Sequence, residues 1–262
     1  MNNPNNTHDD MNEPARDNED PLAQLSLAYV RAGRALHLAF LDDIATRIRS
    51  ACHQDARYLE VTIDPETDDV TLHSIWSEQT DGLANYRQLC DLDADSEDWT
   101  DDPLALHQLV HDLENSLATG YLQTWGLVRP HPNYAYPHRR WIVLPPADRI
   151  DAIAELVRAY VPNAEGLVCS FRWAGHAIGV CLIAVIDTDG QTTGIPCGKC
   201  TRDAEDPWPL RTSHTLAHLL AQVHALPHLS DGNLLPFGGP TCDDEVAPRL
   251  LPLPSANPTS AP

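Results

Sequence analysis

Two cysteines and two histidines in the second half of the chain carry the most specific chemical signal of the sequence. Cys197 and Cys200 are separated by two residues, and His214 and His218 follow with one helical turn between them. A turn at Gly198 lets both sulfurs point at one ion, and histidines four residues apart share a helix face. Zn²⁺ prefers four nitrogen or sulfur ligands in a tetrahedron. The spacing therefore predicts a zinc site, structural rather than catalytic because four protein ligands close it.

Other interpretations of the same side chains stay open. The plainest is a surface turn with two thiols and two exposed histidines, and Cys242 or His224 could replace one metal ligand. A redox role for the Cys pair is a further alternative, because Lys199 would lower a thiolate pKa. However, a redox motif should open a helix, and the residues after Cys200 are polar and interrupted by proline. The acidic surroundings and the lack of an aromatic after the second cysteine argue against a zinc finger that reads nucleic acid.

The acidic segment 91–102 resembles a calcium loop in its D-x-D-x-D start and in an acid at its twelfth position. Three departures weaken this interpretation, because Ser96 replaces the glycine, Asp98 replaces an apolar residue and Asp102 replaces the bidentate glutamate. A loop without a ligand is the preferred interpretation. The sequence has no G-x-S-x-G, phosphate-binding loop or G-x-G-x-x-G motif, so nothing in it singles out a catalytic or nucleotide site.

The charge balance constrains the partners. Acidic residues number 38 against 17 basic ones, giving a net charge of −21. The acids concentrate in 1–21 and 77–102. A field of this sign repels phosphate, so we expect no direct binding of nucleic acid, although imitation of nucleic acid stays an alternative. Seven cysteines without an export signal or a long apolar run predict reduced thiols in a cytoplasmic protein that does not enter membranes.

Hydrophobic periodicity predicts the elements that must position these residues. Apolar residues at helical spacing predict four helices, over 22–52, 103–122, 147–160 and 209–226. Alternating or continuous apolar runs predict five strands, at 58–63, 70–76, 141–144, 167–173 and 178–186. The segment 44–63 resembles 153–171, and both final helices carry His-x-x-x-His. We therefore predict an α+β fold of two similar α-β-β-α units packed together, with antiparallel hairpins covered by helices.

This prediction divides the chain into segments at defined positions. They are a disordered acidic segment 1–21, a first unit 22–128 with an acidic insertion 77–102, a connector 129–140 rich in proline and tyrosine, a second unit 141–226 that contains the Cys pair, and a proline-rich irregular tail 227–262. The connector region also offers a group of side chains that could form a stacking surface, although packing between the halves is preferred. This group comprises Tyr134, Tyr136, Arg139, Arg140 and Trp141.

Residues 35–161 carry a pattern of helix 35–52, the strands YLEVTI and VTLHSIW, helix 103–122, then Trp125-Gly126 with Pro130, and finally RRWIVLPPADRIDAIAELVRAY. In this order the pattern resembles secretion-chaperone-like proteins of the TY-Chap and YbjN groups. The resemblance covers about half of the chain. It implies an α+β module that binds other proteins and brings no catalytic residues. The acidic insertion and the second unit depart from it.

Taken together, these observations predict a soluble acidic intracellular protein that binds other proteins, an adaptor or chaperone-like protein, with structural zinc in its second unit. Two alternatives from other classes remain. One is an acidic inhibitor that mimics nucleic acid and blocks a DNA- or RNA-binding protein. The other is an enzyme whose site assembles only in space, for which a deep cleft with perturbed titratable groups would be the sign.

Overall fold

The computed structural model describes residues 21–51, 54–64, 66–67, 69–78, 86–92, 103–118, 120, 122, 126–133, 135–174, 177–195, 210–238 and 246–255. The principal helices in these ranges are α1 Pro21–Ala51, α2 Pro103–Ala118, α3 Arg149–Arg158, α4 Leu210–Ala225 and α5 Pro227–Asn233. The strands are β1 Tyr58–Ile63, β2 Val70–Glu78, β3 Tyr86–Asp91, β4 Val128–Pro130, β5 Arg139–Val143, β6 Ala164–Ala174, β7 Ala177–Asp187, β8 Thr192–Gly194, β9 Leu235–Pro236 and β10 Arg249–Pro252. The predicted α+β class is confirmed. None of the helices in the described ranges is both long and apolar enough to cross a membrane.

The strands form two antiparallel sheets with the same strand order. The first sheet is β3-β2-β1-β5-β4 and the second is β8-β7-β6-β10-β9. Each therefore places its first strand in the middle and its last strand beside the first. In the described ranges, each half consists of a helix, three strands, a helical segment and two strands. Each sheet therefore contains three strands more than the predicted α-β-β-α unit.

The first hairpin of each sheet also has a bulge at the corresponding position. The pairs that flank it are Glu60–Ser74 and Val61–Leu72 in the first sheet, and Val168–Ala184 and Cys169–Leu182 in the second. His73 and Ile183 are the extra residues of the longer strands. The sheets thus share strand order and register, whereas common descent of the two halves stays a prediction.

The observed sheets differ from the predicted segments in three places. Strand β3 lies inside the predicted insertion 77–102. Strand β5 pairs with β1 and completes the first sheet, although the prediction started the second unit at 141. The predicted tail 227–262 supplies β9 and β10. Pro252 has no backbone N–H to donate. It is tolerated in β10 because it pairs with Gly166 of β6 on one side, while on the other side the pairing with β9 ends at Leu250.

Two hydrophobic cores lie between helices and sheets, and the halves are packed together as predicted. The first core joins α1 and α2 to the first sheet, and it also receives Ala225 and Leu226 from the end of α4. The second core joins α3 and α4 to the second sheet. Buried Arg149 of α3 links three helices, because its guanidinium donates to Asp42 of α1 at 2.6 and 3.1 Å and to Gln222 of α4 at 2.9 Å.

Candidate functional site

The predicted zinc ligands are only partly placed. Cys197 and Cys200 lie outside the described residues, whereas His214 and His218 occupy one face of α4, with His214 exposed. Within the described part of the chain, no group of three or more His, Cys, Asp or Glu side chains could hold a metal ion. The zinc site therefore stays a prediction.

His218 has a neighbour that the sequence did not suggest. Its ring packs against Gly126, which has a φ of +65°, and a Cβ atom at that position would collide with the imidazole. Burial, followed by the positive charges of Arg129 and His214, lowers the pKa of His218. The helical spacing of His214 and His218 fits a metal site, but the positive charge of Arg129 disfavours a cation beside His218.

A pocket of about 530 Å³ lies on the outer face of the first sheet. Leu59 and Val61 of β1 point into the first core, so Glu60 between them points to the opposite face, away from α1 and α2. Strands β1, β2, β3 and β5 and the loop after β4 form its walls. The lining residues are Glu60, His73, Ser74, Trp76, Tyr86, Gln88, Asp91, His131, Pro132, Asn133, Tyr136, Arg139 and Trp141.

Aromatic rings surround Trp141 at the centre of this face. The ring of Tyr58 stacks on it at a centroid distance of 4.6 Å, and Tyr86 meets it edge-on, also at 4.6 Å. His131 lies at 5.2 Å and Trp76 at 5.8 Å. These are favourable separations and orientations for aromatic pairs. The cluster therefore forms a stiff apolar wall.

Glu60 is the polar centre of the pocket and is 1% exposed. Ser74 and Trp76 donate hydrogen bonds to Oε2, the latter at 2.9 Å, and Arg139 Nη1 donates to Oε1 at 2.7 Å. Burial alone would raise the pKa of Glu60. The hydrogen bonds from Arg139, Ser74 and Trp76, with the positive charge of Arg139, outweigh burial and lower the pKa. The carboxylate is thus ionised at neutral pH and its oxygens are occupied.

The bulge in β2 shapes the pocket. Because His73 is the extra residue in the ladder, both His73 and Ser74 line the pocket, where regular alternation would present only one of them. His73 Nε2 lies 2.8 Å from Thr62 Oγ1, which holds the ring in place.

The loop between β4 and β5 forms the opposite wall. Asn133 donates its backbone N–H to His131 Nδ1 at 3.0 Å, and the same ring nitrogen lies 3.3 Å from the Asn133 carbonyl oxygen, so the loop backbone fixes the position of the ring. The Arg139 guanidinium lies over the Tyr136 ring at 4.7 Å. Tyr136 and Arg139 of the predicted stacking group therefore stack on each other, whereas Trp141 is packed among neighbouring rings and is 3% exposed. Tyr134 lies outside the described residues.

Two buried nitrogen atoms in this wall have no hydrogen-bond partner in the part of the chain that the structure describes: Trp141 Nε1 and His131 Nε2. Trp141 is 3% and His131 8% exposed. His131 Nε2 lies 3.5 Å from Glu60 Oε1, an electrostatic contact without a hydrogen bond. Buried donors are nearly always satisfied in native proteins, so orphaned ones at a pocket indicate a place for a ligand.

The sequence did not identify Glu60, although a carboxylate inside an apolar strand was a usable signal. At the corresponding register positions the second sheet has apolar residues, namely Val168 for Glu60, Ala184 for Ser74 and Leu250 for Trp141. The polar centre thus belongs to the first sheet. No protein-family model matches the chain, and comparisons with curated proteins and with solved structures find no match.

Proposed function

We propose that this protein binds other proteins, as an adaptor or chaperone-like module, and that the pocket around Glu60 and Trp141 receives a segment of its partner. The observation that carries the proposal is a preformed aromatic pocket with two buried nitrogen atoms that have no hydrogen-bond partner among the described residues. Its volume of about 530 Å³ falls in the range of sites that enclose a ligand. Tyr, Trp and Arg are also the residues that dominate binding energy at protein interfaces.

The state of Glu60 supports binding over acid–base catalysis. A general acid or base needs a pKa near the working pH, and the pKa of Glu60 is lowered instead. Ser74 directs its hydroxyl to this carboxylate and Arg139 neutralises it. The ion pair therefore holds the pocket walls in place. The resemblance of residues 35–161 to chaperone-like proteins supports the same class of function.

The remaining parts of the proposal concern charge and location. With a net charge of −21, we expect no direct binding of nucleic acid, and we expect a cytoplasmic location because the seven cysteines are interpreted as reduced thiols. The acidic-mimic alternative differs in its salt dependence. Its binding would weaken steeply as ionic strength rises, whereas aromatic contacts in the pocket would change little.

Replacing Tyr136 with alanine should weaken peptide binding by the pocket at least about tenfold without unfolding the protein. Tyr136 lines the pocket and is 45% exposed, so little core packing is lost. The matched control is Tyr160→Ala, which removes a tyrosine of 43% exposure from the second half. Random 12-residue peptides displayed on phage would be selected on the full chain. We expect selected peptides to bind the native protein and the Tyr160 variant, and to bind the Tyr136 variant at least about tenfold more weakly.

Failure of selected peptides to distinguish the two variants would contradict the proposed site. Failure to select any peptide would contradict a peptide-binding function for the pocket. Circular dichroism of both variants confirms that each keeps the native fold.

Zinc at Cys197, Cys200, His214 and His218 belongs to the same proposal as a structural support for the second half. We expect the purified full chain to contain one zinc ion per molecule by elemental analysis. Replacing Cys197 or His214 with serine or alanine should remove it, whereas exposed His111→Ala on α2 should not. The zinc site would be contradicted if the purified protein contained no metal and added zinc left its melting temperature unchanged.

A further inference from the structure

The pocket offers hydrogen-bond donors, while its buried acceptor is already occupied. Trp141 Nε1–H can only donate. His131 Nε2 is a second donor in the tautomer in which Nδ1 accepts from the backbone N–H of Asn133. Glu60, by contrast, accepts from Arg139, Ser74 and Trp76. At the buried centre of the pocket a ligand therefore needs an acceptor for the indole N–H, while the exposed side chains of Gln88, Asp91 and Asn133 supply the polar part of the lining.

Among peptide segments, proline best meets that requirement. A proline residue has a backbone carbonyl but no N–H, so a run of prolines presents acceptors only. An ordinary extended strand would present an N–H to the pocket at every second residue, and the buried Glu60 already accepts from three donors.

The shape of the pocket favours the same ligand. Flat rings of Trp76, Tyr86, Trp141 and Tyr136 line it, and proline rings pack well on flat aromatic faces. A polyproline II helix rises about 3.1 Å per residue with three residues per turn, so one turn is about 9 Å long. A pocket of about 530 Å³ has room for that turn. The helix is also preorganised, which reduces the entropy lost on binding.

We propose that the pocket recognises a proline-rich segment of a partner protein in the polyproline II conformation, with the indole N–H of Trp141 donating to one of its carbonyl groups. This inference rests on the proposed protein-binding function and specifies the chemical class of the segment. Tyr86 and Tyr136 flank the segment, and the ion pair of Glu60 with Arg139 fixes the floor on which it lies.

The test is a titration of the ¹⁵N-labelled full chain with acetyl-decaproline amide, followed by the indole N–H resonances. The Trp141→Phe variant identifies the signal of Trp141. We expect that signal to move downfield on binding, as a new hydrogen bond forms. The signal of Trp76, whose N–H already bonds to Glu60, should move less. An alanine–glutamine peptide of equal length is the control ligand, and it should bind at least about tenfold more weakly.

Affinities measured by calorimetry complete the test. Trp141→Phe keeps an aromatic ring but loses the donor, and we expect about tenfold weaker binding of decaproline. Tyr160→Phe, which loses a hydroxyl donor outside the pocket, should bind as the native protein does. If Trp141→Phe fails to fold, Tyr136→Ala tests whether decaproline occupies the pocket, and triple-resonance experiments assign the indole signal of Trp141.

Equal binding of both peptides, or an unchanged Trp141 signal at saturation, would overturn the proline inference. If decaproline does not bind while peptides selected on phage still depend on Tyr136, the inference alone is lost and the proposed function stands. If neither decaproline nor any selected peptide depends on the pocket, the proposed function is lost as well.

Discussion

Replacing Glu60 with alanine should lower the free energy of unfolding by about 3 kcal/mol, the lower end of the cost of breaking a buried ion pair, because the Arg139 left behind is 30% exposed and can be hydrated. The carboxylate is 1% exposed, and Arg139, Ser74 and Trp76 all donate to it. Its removal takes this acceptor away from Arg139 and Ser74, while Trp76 Nε1 keeps Ser74 Oγ at 3.0 Å. Urea unfolding followed by far-ultraviolet circular dichroism measures the change.

Two variants separate the ion pair from general effects of mutation. Exposed Glu155→Ala on α3 is the matched control and should change the free energy of unfolding by less than about 0.5 kcal/mol. The double replacement Glu60→Leu with Arg139→Leu removes both charges, so it should be more stable than Glu60→Ala alone. A loss below about 1 kcal/mol for Glu60→Ala would contradict the role given to this carboxylate.

Acidification from pH 6.5 towards 4 should destabilise the protein by about 2 kcal/mol through His224 alone, after allowance for solvent screening. Burial, followed by the charges of Arg31 and Arg249, lowers the pKa of His224 from 6.5 to about 4. Its ring stacks on Phe171 at 4.3 Å. Between pH 6.5 and about 4, the imidazole of His224 is protonated in the unfolded chain but stays neutral in the folded protein. The contribution of neutral His224 is therefore complete above pH 6.5 and falls until about pH 4.

The measurement is the free energy of unfolding in urea at several pH values. His224→Gln should flatten the dependence between pH 6.5 and 4, while exposed His111→Gln should leave it unchanged. Some slope should remain, because the pKa values of His37 and His218 are also lowered. The contribution of Glu60 to stability is lost at lower pH than that of His224. Its pKa is lowered from 4.5, so its carboxylate is protonated only below that pH. An identical slope in native protein and His224→Gln would refute the prediction.

Local sequence patterns predicted the long elements well. The helix predicted over 22–52 is observed as Pro21–Ala51, and the hairpin of β6 and β7 is observed with longer strands. These elements bury strong apolar stripes, so their periodicity is visible in a single sequence. The strands that were missed are of another kind. Strand β3 lies at a sheet edge with a partly polar face, and β9 and β10 are short and contain proline, which local rules interpret as a break.

The candidate site depended on pairings that no local pattern contains. Glu60 and Arg139 meet only because β5 returns to the side of β1. The prediction assigned Trp141 to the second unit, so it could not place this ring beside Tyr58 and Tyr86 of the first. Long-range strand order therefore limited the functional prediction more than the identification of helices and strands did.

The placement of β10 has a consequence for how the chain reaches its final state. β10 lies between β6 and β9, yet it follows β6 only after β7, β8, α4, α5 and β9. The β6–β7 hairpin joins neighbouring segments and can form quickly, whereas insertion of β10 must close a long loop. Until then β6 exposes an unpaired backbone edge that invites pairing between molecules. Refolding yield should consequently decline as protein concentration rises, with the second sheet as the origin of the aggregates.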